Sequence, residues 1–214
     1  MNLPPEARLR VDLEDAVRSA GEEPGPAVID ALCSHLRLMA DWNPRFGLTS
    51  VSAWPEILDR HVKESLLPLR WIGQGGRLLD VGSGNGYPAI PILACRPGIS
   101  AVLAERSERK SLFLEEVLRT TMLKNARVLT ADLGAPGRRA PEERFDYVIS
   151  RATLAPGEYM ALAARLVSPG GRVFLYAGAV EERAIGTETA RPMEQLAREP
   201  IVGRRDSYLF VLQG

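Results

Sequence analysis

Between Ala27 and Trp42 the apolar residues Val28, Leu32, Leu36, Met39 and Trp42 recur every three or four positions, which predicts an amphipathic helix that Asn43-Pro44 should stop. The connector Phe46-Gly47-Leu48-Thr49-Ser50-Val51 leads to a second predicted helix, with Ser52 as N-cap and Ile57, Leu58, His61, Val62, Leu66 and Leu69 on one face. Together they predict a helical cap over residues 1–72. Gly73-Gln74-Gly75-Gly76 is expected to link it to a second unit over residues 73–214. There the pattern changes to short apolar runs alternating with helical stretches. Strands are predicted at 77–81, 101–105, 127–130, 147–150 and 172–176. Helices are predicted at 108–121, spaced by Leu112, Phe113, Glu116 and Val117, and at 158–166, with Ser168-Pro169-Gly170-Gly171 as a turn. Such alternation requires parallel strands, an α/β architecture. The last run, Tyr208-Leu209-Phe210-Val211-Leu212, follows Pro200-Ile201-Val202-Gly203 closely enough to form a hairpin with an antiparallel edge strand.

One polar interruption organises the rest: Leu78-Leu79-Asp80-Val81-Gly82-Ser83-Gly84-Asn85-Gly86-Tyr87-Pro88. An apolar run ends in an acid, glycines follow at alternate positions, and a helix can begin at once. Glycine permits positive φ and lets a ligand approach the backbone, while a helix start presents free N–H groups. A dinucleotide loop wants G-x-G-x-x-G or A; here the third glycine comes one residue early and Tyr87 fills the expected slot. That spacing opposes a nicotinamide oxidoreductase. A plain glycine turn is the bland alternative.

Three further segments fall at predicted strand ends, where open parallel sheets bind their ligands. Glu105 ends the second strand about 20 residues past the loop, where a ribose hydroxyl pair would be gripped. Asp132 and Leu133 follow the third strand. Ser150-Arg151-Ala152 closes the fourth, so an acceptor should dock beside Arg151. A charged loop, Arg138-Arg139 with Glu142-Glu143-Arg144, precedes that strand.

Composition narrows the classes. The chain has 214 residues, enough for one sizeable α/β domain and a small appendage. Two cysteines, Cys33 and Cys95, exclude a disulfide framework and a zinc site. With no apolar leader after Met1 and no run near the ~20 residues of a spanning helix, the expected setting is the reducing cytoplasm, with no membrane partner. Basic and acidic residues balance at 27 each, so charge supplies no global attraction to nucleic acid. Of the bases 24 are arginine, Lys63, Lys110 and Lys124 being the rest. Arginine suits phosphate through its fork of donors, and a GC-rich coding bias explains the same excess.

The G-x-G-x-G loop preceded by Asp80 resembles motif I of class I methyltransferases. Over nearly its full length the chain resembles the bacterial family that methylates guanine N7 of small-subunit ribosomal RNA, the glucose-inhibited division protein B family. The match rests on Trp42-Asn43, Leu48-Thr49-Ser50-Val51 and Arg60-His61 with Ser65 in the cap. It continues through Asp80-Val81-Gly82-Ser83-Gly84, Pro88, Ile90-Pro91, Arg109-Lys110 with Phe113-Leu114, and Ser150-Arg151-Ala152. The family has asparagine where Gly47 stands, proline where Asn85 stands, and a lysine where Ala177 precedes Gly178.

The resemblance implies a Rossmann-like, mostly parallel seven-stranded sheet with an antiparallel last strand, S-adenosylmethionine as cofactor, and methylation of guanine 527 of 16S ribosomal RNA or the small subunit. It implies cofactor contacts from Asp80, Gly82, Ser83, Gly84, Gly86, Tyr87, Glu105, Asp132, Leu133 and Arg151, with no metal and a monomeric enzyme. Asp132 would face the adenine; a helix N-cap is its other reading. Guanine N7 carries a lone pair and no proton, so transfer needs alignment rather than a general base. Arg151 is the catalytic candidate on the acceptor side, contacting O6 or phosphate, because the usual bidentate grip on O6 and N7 would occupy the attacking lone pair. A structural ion pair is its alternative. His61, Arg109 and Lys110 are candidate RNA contacts. Against these stand a satisfied buried histidine and a solvated helix start. The missing lysine and neutral charge keep a methyltransferase of small acceptors in view, and a non-enzymatic cofactor-binding module remains a further class.

Overall fold

The computed structural model describes residues 1–135, 143–151, 154–178, 193–201 and 203–214. Arg138, Arg139 and Glu142 of the expected charged loop, Ala152 and Val202 lie outside the described residues. A helix precedes those expected: α1, Glu6–Ser19, buries Leu9, Leu13, Ala16 and Val17 at helical spacing. In α2, Pro26–Phe46, the chain continues past Pro44. A proline in the last turn forfeits one late rung, and the stop comes instead at Gly47, which takes φ 59° and donates its N–H to the Asn43 carbonyl at 2.9 Å. The Asn43 side chain accepts the Thr49 N–H at 2.8 Å and so fixes the connector.

The next helix is capped by Ala53 rather than Ser52. It begins as α3, Trp54–Ile57, widens into a π-helical segment, Leu58–Lys63, resumes as α4, Glu64–Leu66, and tightens into a 3₁₀ turn, Leu67–Trp71. Sheet and helices then alternate: β1, Gly75–Val81; α5, Ala89–Cys95; β2, Gly98–Glu105; α6, Glu108–Thr121; β3, Ala126–Thr130; β4, Phe145–Arg151; α7, Pro156–Leu166; β5, Val167–Gly178; β6, Glu194–Pro200; β7, Ser207–Gln213. The expected turn at 168–171 is a bulge within β5, where the partner of β4 jumps from Val167 to Arg172.

The strand order is β3-β2-β1-β4-β5-β7-β6, with β7 antiparallel to both neighbours. The hairpin forms as expected, but its last strand inserts between β5 and β6, leaving β6 at the edge. Side chains alternate between faces. One face, with Leu78, Leu103, Ile149, Phe174 and Val211, shares a hydrophobic cluster with α1, α2, α5, α6 and the segments before β1. The other, with Leu79, Val102, Val148 and Val173, packs on α7. In α6 it is Phe113, Leu114 and Val117 that turn inward, while Leu112 is exposed, which corrects its expected core position. Among the described residues no helix is long and apolar enough to cross a membrane.

Candidate active site

The order of strands reverses between β1 and β4, and such a switch leaves a crevice at the strands' carboxyl ends. Residues just beyond β1, β2, β3 and β4 wall a cavity of about 310 Å³ there. Leaving β1, the chain turns through Gly82, Gly84 and Gly86 with φ of 74°, 55° and 88°. Side chains rarely adopt this left-handed region. Gly86 also needs its small size, since a Cβ there would approach Ile90 Cγ1 to 2.8 Å and His35 Nε2 to 3.1 Å.

Glu105 reaches across from the end of β2. Its carboxylate accepts the Gly84 N–H at 2.9 Å and the Ser107 N–H at 2.8 Å, tying the loop to the start of α6. A carboxylate has about four lone-pair sites, so acceptor capacity remains for a ligand. Asp80 lies behind the loop, 1% exposed and off the cavity wall. Among the described residues neither of its carboxylate oxygens meets a donor in full hydrogen-bond geometry, and burial pushes its pKa up to about 7 against the pull of the Ser83 hydroxyl, Arg151 and the Ala89 N–H. A buried, under-satisfied acid beneath a glycine loop suits a ligand carrying positive charge.

The cap grips the same loop. The Tyr87 ring is stacked between His35 of α2, at 4.5 Å between centroids, and His61 of the π-helical segment, at 4.9 Å. His35 Nε2 donates to the Asn85 carbonyl at 2.7 Å, and His61 Nε2 lies 3.0 Å from the Thr49 hydroxyl. His61 is 5% exposed and lies against the Tyr87 ring rather than on the surface.

Arg151 closes the far end. Its guanidinium donates to the Arg60 carbonyl at 2.7 Å, lies 3.9 Å from Glu64 and sits 6.0 Å from the Tyr176 ring centroid. The ion pair expected as its alternative is thus present at long range, yet Arg151 also lines the cavity. Of the other sequence candidates, Gly82, Ser83, Gly84, Tyr87, Glu105, Asp132, Leu133 and Lys110 line it too. Arg109 instead lies on the exposed side of α6. Asp132 accepts the Gly134 N–H at 3.1 Å, the local turn that an aspartate makes without a helix. Leu48 and Asn85, named above only for their likeness to or departure from the family, also line the cavity, as do Arg106 and Leu154, which had no sequence signal beyond their neighbours.

Strand order, alternate-glycine loop and the acid at the end of β2 define a class I methyltransferase fold. Solved structures of that fold superpose: TrmN from Thermus thermophilus with TM-score 0.56, 19% identity, 73% of this chain and 53% of that one. P. horikoshii TYW2 in complex with MeSAdo gives TM-score 0.60, 15% identity, 77% of this chain and 64% of that one. The profile of the rRNA small subunit methyltransferase G family, GidB, matches residues 29–202, and the chain belongs to that family. Ribosomal RNA small subunit methyltransferase G 1 of Syntrophobacter fumaroxidans is 36% identical over 86% of this chain and 82% of its own length. The methyltransferase G of Alkalilimnicola ehrlichii is 36% identical over 73% and 69%.

Proposed function

We propose that the protein methylates small-subunit ribosomal RNA, transferring the methyl group of S-adenosylmethionine to N7 of one guanine, guanine 527 of the 16S molecule. Family membership supports the RNA substrate. The observation that supports N7 is Arg151 on the wall of the cavity, a donor that can take guanine O6 and leave the N7 lone pair free to attack.

The residues present fit the cofactor. Glu105 would accept from the ribose hydroxyls with its remaining lone pairs, the glycine loop would let the methionine part approach closely, and Asp80 would offset the sulfonium charge. Asp132 and Leu133 would border the adenine. Bound there, the cofactor supplies an electrophilic methyl group. The N7 lone pair would take that methyl as the C–S electron pair stays on sulfur, so that no residue of the site would have to accept a proton. Arg151 would orient the base through O6, and holding the partners in line is the main source of rate. Lys110, on the cavity wall, and Arg109, exposed beside it on α6, would follow the RNA backbone.

Labelled S-adenosylmethionine and small subunits lacking the modification test this reading. Label at a single guanine N7 is the expected result; cofactor binding without transfer would overturn it. Ala177 standing where the family has lysine favours one second reading, a small acceptor, which the same assay run with nucleosides separates.

A further inference from the structure

Beyond Arg151 lies a second cavity, also about 310 Å³, and that arginine lines both. Arg60, Glu64, Tyr176, Ala177 and Arg204 are among its other walls. Glu64 is the unexpected member, a glutamate only 5% exposed. One carboxylate oxygen pairs with Arg204 Nε at 2.8 Å, while the other stands 3.9 Å from Arg151 Nη1, outside hydrogen-bond range. From behind, the Tyr176 hydroxyl donates to the Glu64 backbone carbonyl at 2.7 Å and holds that turn in place. Burial raises the Glu64 pKa, against the attraction of Arg204 and Arg151. An ion pair is a weak structural reason for a carboxylate here, because well-packed apolar residues stabilise an interior as well or better.

Guanine supplies a chemical reason. Its N1–H and exocyclic amino group stand side by side on one edge, a pair of donors that one carboxylate can accept. N7 is on the opposite side of the ring system, and O6 lies between. The protein sets out its groups in the same order: the cofactor cavity, then Arg151 serving both cavities, then Glu64. Resting on the methyl-transfer reading above, we infer that the second cavity receives the acceptor guanine and that Glu64 is its specificity-determining residue. Glu64 accepts from N1–H and the amino group, Arg151 donates to O6, and N7 faces the cofactor. Adenine would bring a lone pair at N1 against the carboxylate and lack the amino group. When ionised, the carboxylate also offsets the positive charge that the ring gains on methylation. Arg60 and Arg204 supply cations around the position that Ala177 leaves without one.

The test compares subunits carrying guanosine with subunits carrying inosine at the accepted position, which keeps N7 and O6 and lacks only the amino group. With the wild-type protein kcat/KM is expected to fall about ten- to hundredfold on inosine, the size of one lost base-edge pairing. In Glu64→Gln the preference should collapse while S-adenosylmethionine affinity stays near wild type, and the melting temperature should fall because Arg204 loses its charged partner. Should that variant not fold, Glu64→Asp keeps the charge near Arg204, shortens the reach, and is expected to lose the same preference. Equal rates on both substrates, or a preference that survives both variants, would overturn the inference and leave the methyltransferase reading standing. No transfer to any RNA removes both.

Discussion

The Glu105 carboxylate accepts the Gly84 N–H at 2.9 Å, so the acid that ends β2 holds the loop that leaves β1. The residue proposed to meet the ribose therefore also holds the loop beneath it. Removing it should do two things at once. Hydrogen bonds to a charged group contribute about 1.5–3 kcal/mol, so Glu105→Ala should weaken S-adenosylmethionine binding roughly ten- to hundredfold by calorimetry, with a folded circular-dichroism spectrum and a modestly lower melting temperature. Wild-type affinity in the variant would sink the role.

Asp80 predicts a trade between binding and stability. With a folded pKa near 7 against an ordinary 3.8, the folded chain keeps a proton that the unfolded chain loses between those values. Its contribution to stability is present below about pH 4 and is lost as pH rises through 7. Asp80→Asn should therefore melt above wild type at pH 8 and level with it near pH 4. At pH 8 it should also bind the cofactor more weakly. A variant that melts lower at pH 8 would mean that the Ser83 and Ala89 donors outweigh the cost of burying the charge.

Two glycines of one loop should respond differently to alanine. At Gly84 an added Cβ meets nothing closer than 3.8 Å, so only the positive φ opposes it, about 1 kcal/mol. At Gly86 the same φ penalty is joined by contacts of 2.8 Å and 3.1 Å with Ile90 and His35. Gly86→Ala should lower the urea midpoint clearly more than Gly84→Ala, because overpacking adds about 1–3 kcal/mol. Equal midpoints would show that the cap yields at no cost.

What the sequence made legible is whatever repeats with a local period or needs a special backbone. Strands β1 to β5, α6, α7 and the glycine loop carry their own signal in alternation, helical spacing and positive φ. Boundaries set by a tertiary partner carry none. Pro44 looked like a stop because the rule against proline is local, whereas the αL turn at Gly47 ends the helix. The site shows the same division. Asp80, Glu105 and Arg151 stand at strand ends, and topology alone brings strand ends together. Glu64 and Arg204 meet across 140 positions, and nothing in either neighbourhood announces the other. The buried Arg96, which pairs with Glu22 and also donates to the carbonyls of Ile72 and Leu69, is equally silent in the sequence, although it joins the cap to the sheet unit.

The histidine pair around Tyr87 gives the protein a titration of its own. Because its partner is a carbonyl, His35 Nε2 must carry the hydrogen, and among the described residues its buried Nδ1 has no hydrogen-bond partner to receive a second. Burial lowers His35 to about 4 and, with help from Arg151, His61 to about 3, against an ordinary 6.5. In the window below 6.5 the unfolded chain takes up protons that the folded chain refuses. The stability each ring contributes is thus fully present above about pH 6.5 and drains away as pH falls toward 4 and 3. Asp80 works the other way between pH 4 and 7, so the total curve mixes both signs and single substitutions must separate them. His35→Gln and His61→Gln should each lie below wild type at pH 7.5, having lost the stack on Tyr87, and that gap should narrow steadily toward pH 4. Denaturant unfolding at a series of pH values measures it. A gap that stays constant would mean that the rings already share a proton path to solvent and that the cap holds the cofactor loop by packing alone.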